Sequence, residues 1–194
     1  MTESTSPTRH QLVAGAADMM RRRGLNATSV REVAKHSRTP QGSTYHYFPG
    51  GKQQLATEAV RFAGDSVAGI LAAKLEAGPV AGLRAFFQLW REILTSTDFQ
   101  AGCPVLAAAV EAPPDGERPE VLDAATAAFT GWETQLADSM RHHGADADAA
   151  GSVATLIVAA AEGAVAMCRA QHHTRPLDRV AAELEILVGK AIDG

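Results

Sequence analysis

Apolar residues recur every three or four positions along most of this chain, and no stretch alternates long enough to make a convincing strand. The pattern therefore predicts an all-α protein of about nine helices. Leu12, Ala16, Met19 and Met20 form the stripe of a first helix, Thr8 to Arg23. Thr8 is placed to cap it, three arginines fill its last turn and Gly24 lies beyond its end. A short second helix opens at Thr28 or Ser29, where Ser29 and Glu32 have capping-box spacing, and it buries Val30, Val33 and Ala34. Thr39 and Pro40 suit the cap and first position of a third short helix, which ends at Tyr47 before Phe48-Pro49-Gly50-Gly51 breaks it. A long helix is expected from Lys52 to near Ala77, where Gly78-Pro79 stops it. Further helices are expected over 79–95, 103–111, 120–143 and 146–173. A last one carries the heptad-like stripe Leu177, Val180, Leu184, Leu187 and Ala191. Met1 to Pro7 reads as a tail and Ala112 to Pro119 as a loop. The pattern implies two regions, 1–55 and 56–194, joined within the long helix near Leu55 and not by a flexible linker.

Composition changes this picture little until charge is divided along the chain. Hydrophobic residues make up 46% and aromatic residues 5%, a balance that favours helices over sheets. The net charge of -4 would suit a poor DNA binder. Residues 1–52, however, hold eight Lys and Arg against three Asp and Glu, a net of +5, so the remainder carries -9. A basic head on an acidic body is the distribution expected of a nucleic-acid-binding module with a regulatory partner. Cys103 and Cys168 form no CxxC pair and read as reduced thiols of a cytoplasmic protein. The polar start MTESTSPTRH is no signal peptide. The apolar run Val153 to Cys168 contains Glu162 and is short for a bilayer span, so no membrane association is expected.

The most specific segment is TSVREVAKHSRTPQGSTYHYFPGGKQQL, Thr28 to Leu55. It reads as helix, tight turn, second helix and lysine-opened third helix, an arrangement suited to the major groove of DNA. In the second helix, Gly42 and Ser43 are small enough for close approach to base edges. Gln41 suits paired hydrogen bonds to adenine, and Thr44 suits contact with a thymine methyl. His46 can donate or accept, and the hydroxyls of Tyr45 and Tyr47 can reach phosphate oxygens. Thr28, at a helix N-terminus, and Lys52, after two glycines, are candidate phosphate clamps.

The run Y-H-Y-F-P-G-G-K-x-x-L, Tyr45 to Leu55, resembles the tetracycline-repressor (TetR) family. By motif the resemblance covers Thr8 to Leu55, and elsewhere it rests on the helix pattern. It implies that Thr28, Tyr45, Tyr47 and Lys52 touch phosphates and that Gln41, Ser43, Thr44 and His46 lie on the recognition helix. The chain departs from the family at the turn, with Arg38 where glycine is usual and Thr39 where a small apolar residue is usual. Thr44 stands where leucine is frequent. Arg38 could add a phosphate contact. The implied protein is a ligand-responsive regulator, usually a repressor, bound to a palindromic double-stranded DNA operator as a homodimer and needing no cofactor.

In the remaining sequence, Val153, Leu156, Ile157, Ala160, Ala164, Val165 and Met167, with Leu177, Val180, Leu184 and Leu187, form apolar faces wide enough for a four-helix bundle across a two-fold axis. Burial against their own body is the simpler alternative. Phe86, Phe87, Trp90, Leu106, Phe129, Trp132, Met140 and Met167 could line an apolar cavity for a small hydrophobic effector, and ordinary core accounts for them equally well. The segment GCPVLAAAVEA, Gly102 to Ala112, is similar to the LmrA/YxaF-like, multidrug-responsive branch of the family.

Two other classes compete: a helical small-molecule-binding protein without DNA binding, and a helical enzyme. The adjacent pairs His142-His143 and His172-His173 lack metal-ligand spacing and fall at expected helix ends. Cys103 precedes Pro104 at a helix start, but no base is predicted beside it. Glu162 would suit an arginine across the two-fold axis or a ligand cation. No phosphate loop, dinucleotide fingerprint or nucleophile elbow is present.

Overall fold

The computed structural model describes residues 7–111 and 119–193. The expected tail at 1–6 and most of the expected loop, 112–118, lie outside them. The described residues form nine helices: α1 (Pro7–Arg23), α2 (Val30–His36), α3 (Gln41–Tyr47), α4 (Gly51–Leu75), α5 (Pro79–Ser96), α6 (Pro104–Val110), α7 (Glu120–His142), α8 (Ala147–Gln171) and α9 (Arg175–Asp193). No strand occurs among them.

Local chemistry explains most of the boundaries. Ser29 caps α2 in an extended conformation. Its hydroxyl accepts the Glu32 N–H at 3.2 Å and donates to the Glu32 carboxylate at 3.0 Å. Asp146 caps α8 by accepting the N–H groups of Asp148 at 2.9 Å and Ala149 at 3.1 Å, and these bonds hold its carboxyl below the ordinary value. Two expected caps do not form. α1 already begins at Pro7, so Thr8 lies inside the helix. Pro40, extended at ψ 135°, takes the cap position of α3, while Thr39 turns back so that its N–H meets the Ala34 carbonyl at 2.9 Å.

The chain folds as two compact units. The first comprises Met1–Gly64 and Cys103–Ala127, and the second Asp65–Gly102 and Ala128–Gly194. This partition gives the basic head more chain than a boundary near Leu55 would. The physical reason is area. α2 and α3 have seven residues each and cannot enclose a core with α1 alone, so Leu55, Ala56, Ala59 and Val60 of α4 complete it, and α6 packs on α1. Leu12, Met20, Val33 and Phe48 are fully or almost fully buried at its centre. Gly15 lets α1 approach the helix-turn-helix, because a Cβ there would stand 2.0 Å from the Ser37 hydroxyl.

The second unit is built on aromatic packing. Phe86 makes edge-to-face contacts with Phe87, Trp90 and Trp132, and Trp132 meets Phe129 in the same way. α8 and α9 pack against each other, burying Ile157, Val165, Cys168, Leu177, Leu184 and Val188. Burial pushes the Cys168 thiol above its ordinary value. α8 has 25 residues, and its apolar window has a mean hydropathy of 1.7. That makes it the one described helix long and apolar enough to cross a membrane, yet half of the window is buried within the protein.

Candidate nucleic-acid interface

Four residues, Ser37 to Pro40, separate α2 from α3, and their backbone is tightly tied. The Ser37 N–H bonds to Val33 O at 2.8 Å and the Arg38 N–H to Lys35 O at 3.2 Å. Arg38 adopts a left-handed conformation, φ 53°, at the position where the resemblance implied glycine. A side chain there costs about 1 kcal/mol. Its guanidinium belongs to an exposed residue, so Arg38 stands at the corner of the motif.

α3 presents most of its surface outward. Gln41, Gly42, Tyr45 and His46 are exposed, Ser43 and Tyr47 are half-buried, and the His46 and Tyr47 rings meet edge-on at 5.2 Å. A Cβ at Gly42 would meet nothing within 4 Å, so the protein itself does not need glycine there. Arg31 and Lys35, one turn apart on α2, are also exposed. They were not among the expected contacts, although a basic i, i+4 pair on one helix face is a legible electrostatic footprint for DNA.

Thr44 is corrected. Its side chain is fully buried and cannot touch a thymine methyl. α3 has one inward position per turn, and Thr44 occupies it, where the family's frequent leucine would pack. Its hydroxyl has no hydrogen-bond partner among the described residues. Thr28 also turns inward. It is 6% exposed, its hydroxyl donates to Gly24 O at 2.8 Å and its N–H to Leu25 O at 3.1 Å, so both donors are engaged within the protein. Lys52 lies at the start of α4 and is half-buried. Its ammonium donates to Asn26 O at 3.0 Å, which aligns it along the α1–α2 loop.

Ion pairs hold the unit around this surface. Asp18 accepts from Arg21 at 2.5 and 2.8 Å and from Arg22 at 3.1 Å, and its carboxylate stands 2.9 Å from His36 Nε2. Burial alone would raise the Asp18 carboxyl. The hydrogen bonds and charges of Arg21 and Arg22 outweigh it and hold the group below its ordinary value. Arg9 pairs with Glu58 at 2.5 Å and lies 5.2 Å from the Phe48 ring centre. Glu111, after α6, accepts the N–H groups of both Leu25 and Asn26. The sequence offered no signal for that contact, because the partners lie 85 and 86 residues away.

The residues expected to line an effector cavity differ in burial and in the unit that holds them. Phe86, Trp90, Trp132 and Met140 are buried in the second unit and Phe129 is half-buried there. Met167 is 51% exposed, and Leu106 belongs to the first unit. His142 ends α7 and His172 caps α8, as the sequence suggested, and no group of three or more metal-ligating side chains occurs among the described residues.

A helix-turn-helix with its second helix presented outward on a net-basic segment defines a DNA-binding regulator. The comparisons agree and go further. Residues 12–59 match the bacterial regulatory proteins of the tetR family, and residues 79–183 match the transcriptional regulator LmrA/YxaF-like C-terminal domain. The chain belongs to the TetR family of transcriptional regulators, which are not enzymes. It is 38% identical over 183 residues to an HTH-type transcriptional regulator of Mycobacterium tuberculosis, covering 93% of each chain. It is 27% identical to the HTH-type transcriptional regulator LmrA of Bacillus subtilis, covering 90% of this chain and 93% of that one. The fold is similar to the crystal structure of regulatory protein TetR from Rhodobacter sphaeroides, with a TM-score of 0.81 at 22% identity, covering 94% of this chain and 99% of that one.

Proposed function

We propose that this regulator is a cytoplasmic repressor that binds a palindromic operator as a homodimer and releases it when a small lipophilic effector occupies the second unit. The observation that carries the DNA half of this reading is the outward face of α3. Gln41 is exposed for bidentate base contact. Tyr45, 56% exposed, and His46 stand beside it, and Arg38 and Lys52 bracket the motif with positive charge.

Dimerisation is supported by the outer face of α8 and α9. Leu156, Met167 and Ile186 are all about half exposed. Ala159 and Gly163 lie on the same exposed face of α8 and permit close helix approach. A two-fold partner would cover this face and set two α3 helices about one DNA turn, or a multiple of it, apart. The effector half is supported by the aromatic cluster. Trp90 Nε1, Gln135 Oε1 and Ser139 Oγ are buried in that unit without a hydrogen-bond partner among the described residues, leaving polar groups for a ligand to satisfy.

The test is a gel-shift titration against the protein's own upstream DNA at two salt concentrations. Salt-sensitive, two-fold-symmetric binding is expected. Lys52→Ala should weaken binding to all sequences alike, whereas Gln41→Ala should also relax preference at one base pair. Ligand binding without any DNA binding would instead establish a helical small-molecule-binding protein. Parental affinity and preference in both variants would remove the proposed DNA contacts.

A further inference from the structure

The first unit holds a cavity of its own, lined by none of the residues of the aromatic cluster. Its volume is about 390 Å³, within the range of small-molecule sites. Leu25, Ala56, Val121 and Leu122 supply apolar wall, and the two charged side chains lining it are Lys52 and Glu111. Both groups hold the α1–α2 loop. Glu111 accepts the N–H groups of Leu25 and Asn26, and Lys52 donates to the carbonyl of Asn26. The seat of the carboxylate is built into the chain. Gly24 has φ 85°, a conformation that favours glycine, and a Cβ there would lie 2.3 Å from Glu111 Oε1, so the carboxylate would have to move.

We infer that this cavity is a binding site for a small, neutral, largely apolar molecule bearing a hydroxyl group. The charges decide the class. A carboxylate ligand would gain from Lys52 and be repelled by Glu111, and an amine would meet the reverse. A hydroxyl both accepts and donates, so it satisfies a spare ammonium proton of Lys52 and a spare lone pair of Glu111 while its carbon skeleton covers Leu25 and Leu122. Occupancy changes what Lys52 can reach. This regulatory consequence rests on the reading of Lys52 as a DNA-phosphate contact, whereas the binding site itself does not.

The probe is 2-naphthol, titrated into the full-length protein and followed by methyl NMR with intermolecular NOEs. Saturable binding is expected, with NOEs to the Leu25 and Leu122 methyls. In folded Leu122→Trp, which places an indole against the cavity, the NOEs to the Leu25 methyls should vanish. Glu111→Gln keeps the apolar wall, removes the charged acceptor and should weaken 2-naphthol about fivefold, with naphthalene unaffected. NOEs confined to second-unit methyls such as Leu94 and Leu136, or no saturable binding, would overturn the site. Equal affinity of Glu111→Gln for 2-naphthol would overturn the hydroxyl assignment. In a parallel gel shift, 2-naphthol should change operator affinity about threefold in the parent and leave Leu122→Trp unchanged. An unchanged parent would overturn the regulatory link. Absence of DNA binding without probe would fault the DNA reading alone, because the NMR result stands apart from it.

Discussion

The two units of this protein are held together by different physics. The second rests on large aromatic surfaces: Phe86, Trp90 and Trp132 are each no more than 1% exposed and meet edge to face. The first is assembled from short helices whose small core is supplemented by polar ties. Asp18 gathers Arg21, Arg22 and His36, Glu111 caps two loop amides, and Ser37 and Thr44 bury hydroxyls without partners among the described residues. A unit of this kind keeps its outer surface free for charge and hydrogen bonding. That suits a DNA-binding module, whose binding face must stay hydrophilic.

Substitutions sharpen the contrast in order of size. Trp132→Ala removes the side chain between Phe86 and Phe129 and should destabilise the second unit by about 3–5 kcal/mol, measured by urea denaturation. If that loss also abolished the native chemical shifts of α2 and α3, the units would not be separable in stability. Glu111→Ala removes the acceptor of two N–H groups in the first unit, one part-buried and one exposed, and should cost about 0.5–1.5 kcal/mol there, read as faster amide exchange at Leu25 and Asn26. No change in exchange would discount the polar tie.

Acid should weaken the first unit through Asp18. The native Asp18 carboxyl lies below its ordinary value of 3.8. Its contribution is therefore complete above the unfolded-state value, near 3.9, and is lost as pH falls through the lower native value. Asp18→Asn should flatten that acid limb in a circular-dichroism titration. A limb of unchanged steepness would assign the acid sensitivity elsewhere. The smallest expected effects are gains. Thr44→Val removes a buried unpaired hydroxyl at nearly constant shape and should stabilise by about 1 kcal/mol. Arg38→Gly relieves a left-handed backbone and should add about 0.5–1 kcal/mol, at the expense of whatever phosphate contact Arg38 makes. A loss in Arg38→Gly would mean that the strained turn is supported by contacts that the substitution breaks, and a loss in Thr44→Val that the buried hydroxyl is satisfied.

The course of the helices was legible in the residues because its causes are local. Ser29 before Glu32, Gly78 before Pro79, and apolar stripes at helical spacing act within a turn or two, and the observed helices follow them to within a few residues. The exposure of Gln41, Tyr45 and His46 followed from the same local reading. Thr44 was misplaced because a seven-residue helix leaves its inward face ambiguous until neighbouring elements are known. Which residues cap a loop from 86 positions away, how much of α4 completes the head, and that Thr28 spends its donors on Gly24 and Leu25 depend on packing between distant segments. The chain by itself determined an all-helical DNA-reading protein, since periodicity, caps and charge distribution are properties of neighbours in sequence. The tertiary structure alone decided which polar groups face outward and which serve as ties, because burial is a property of neighbours in space.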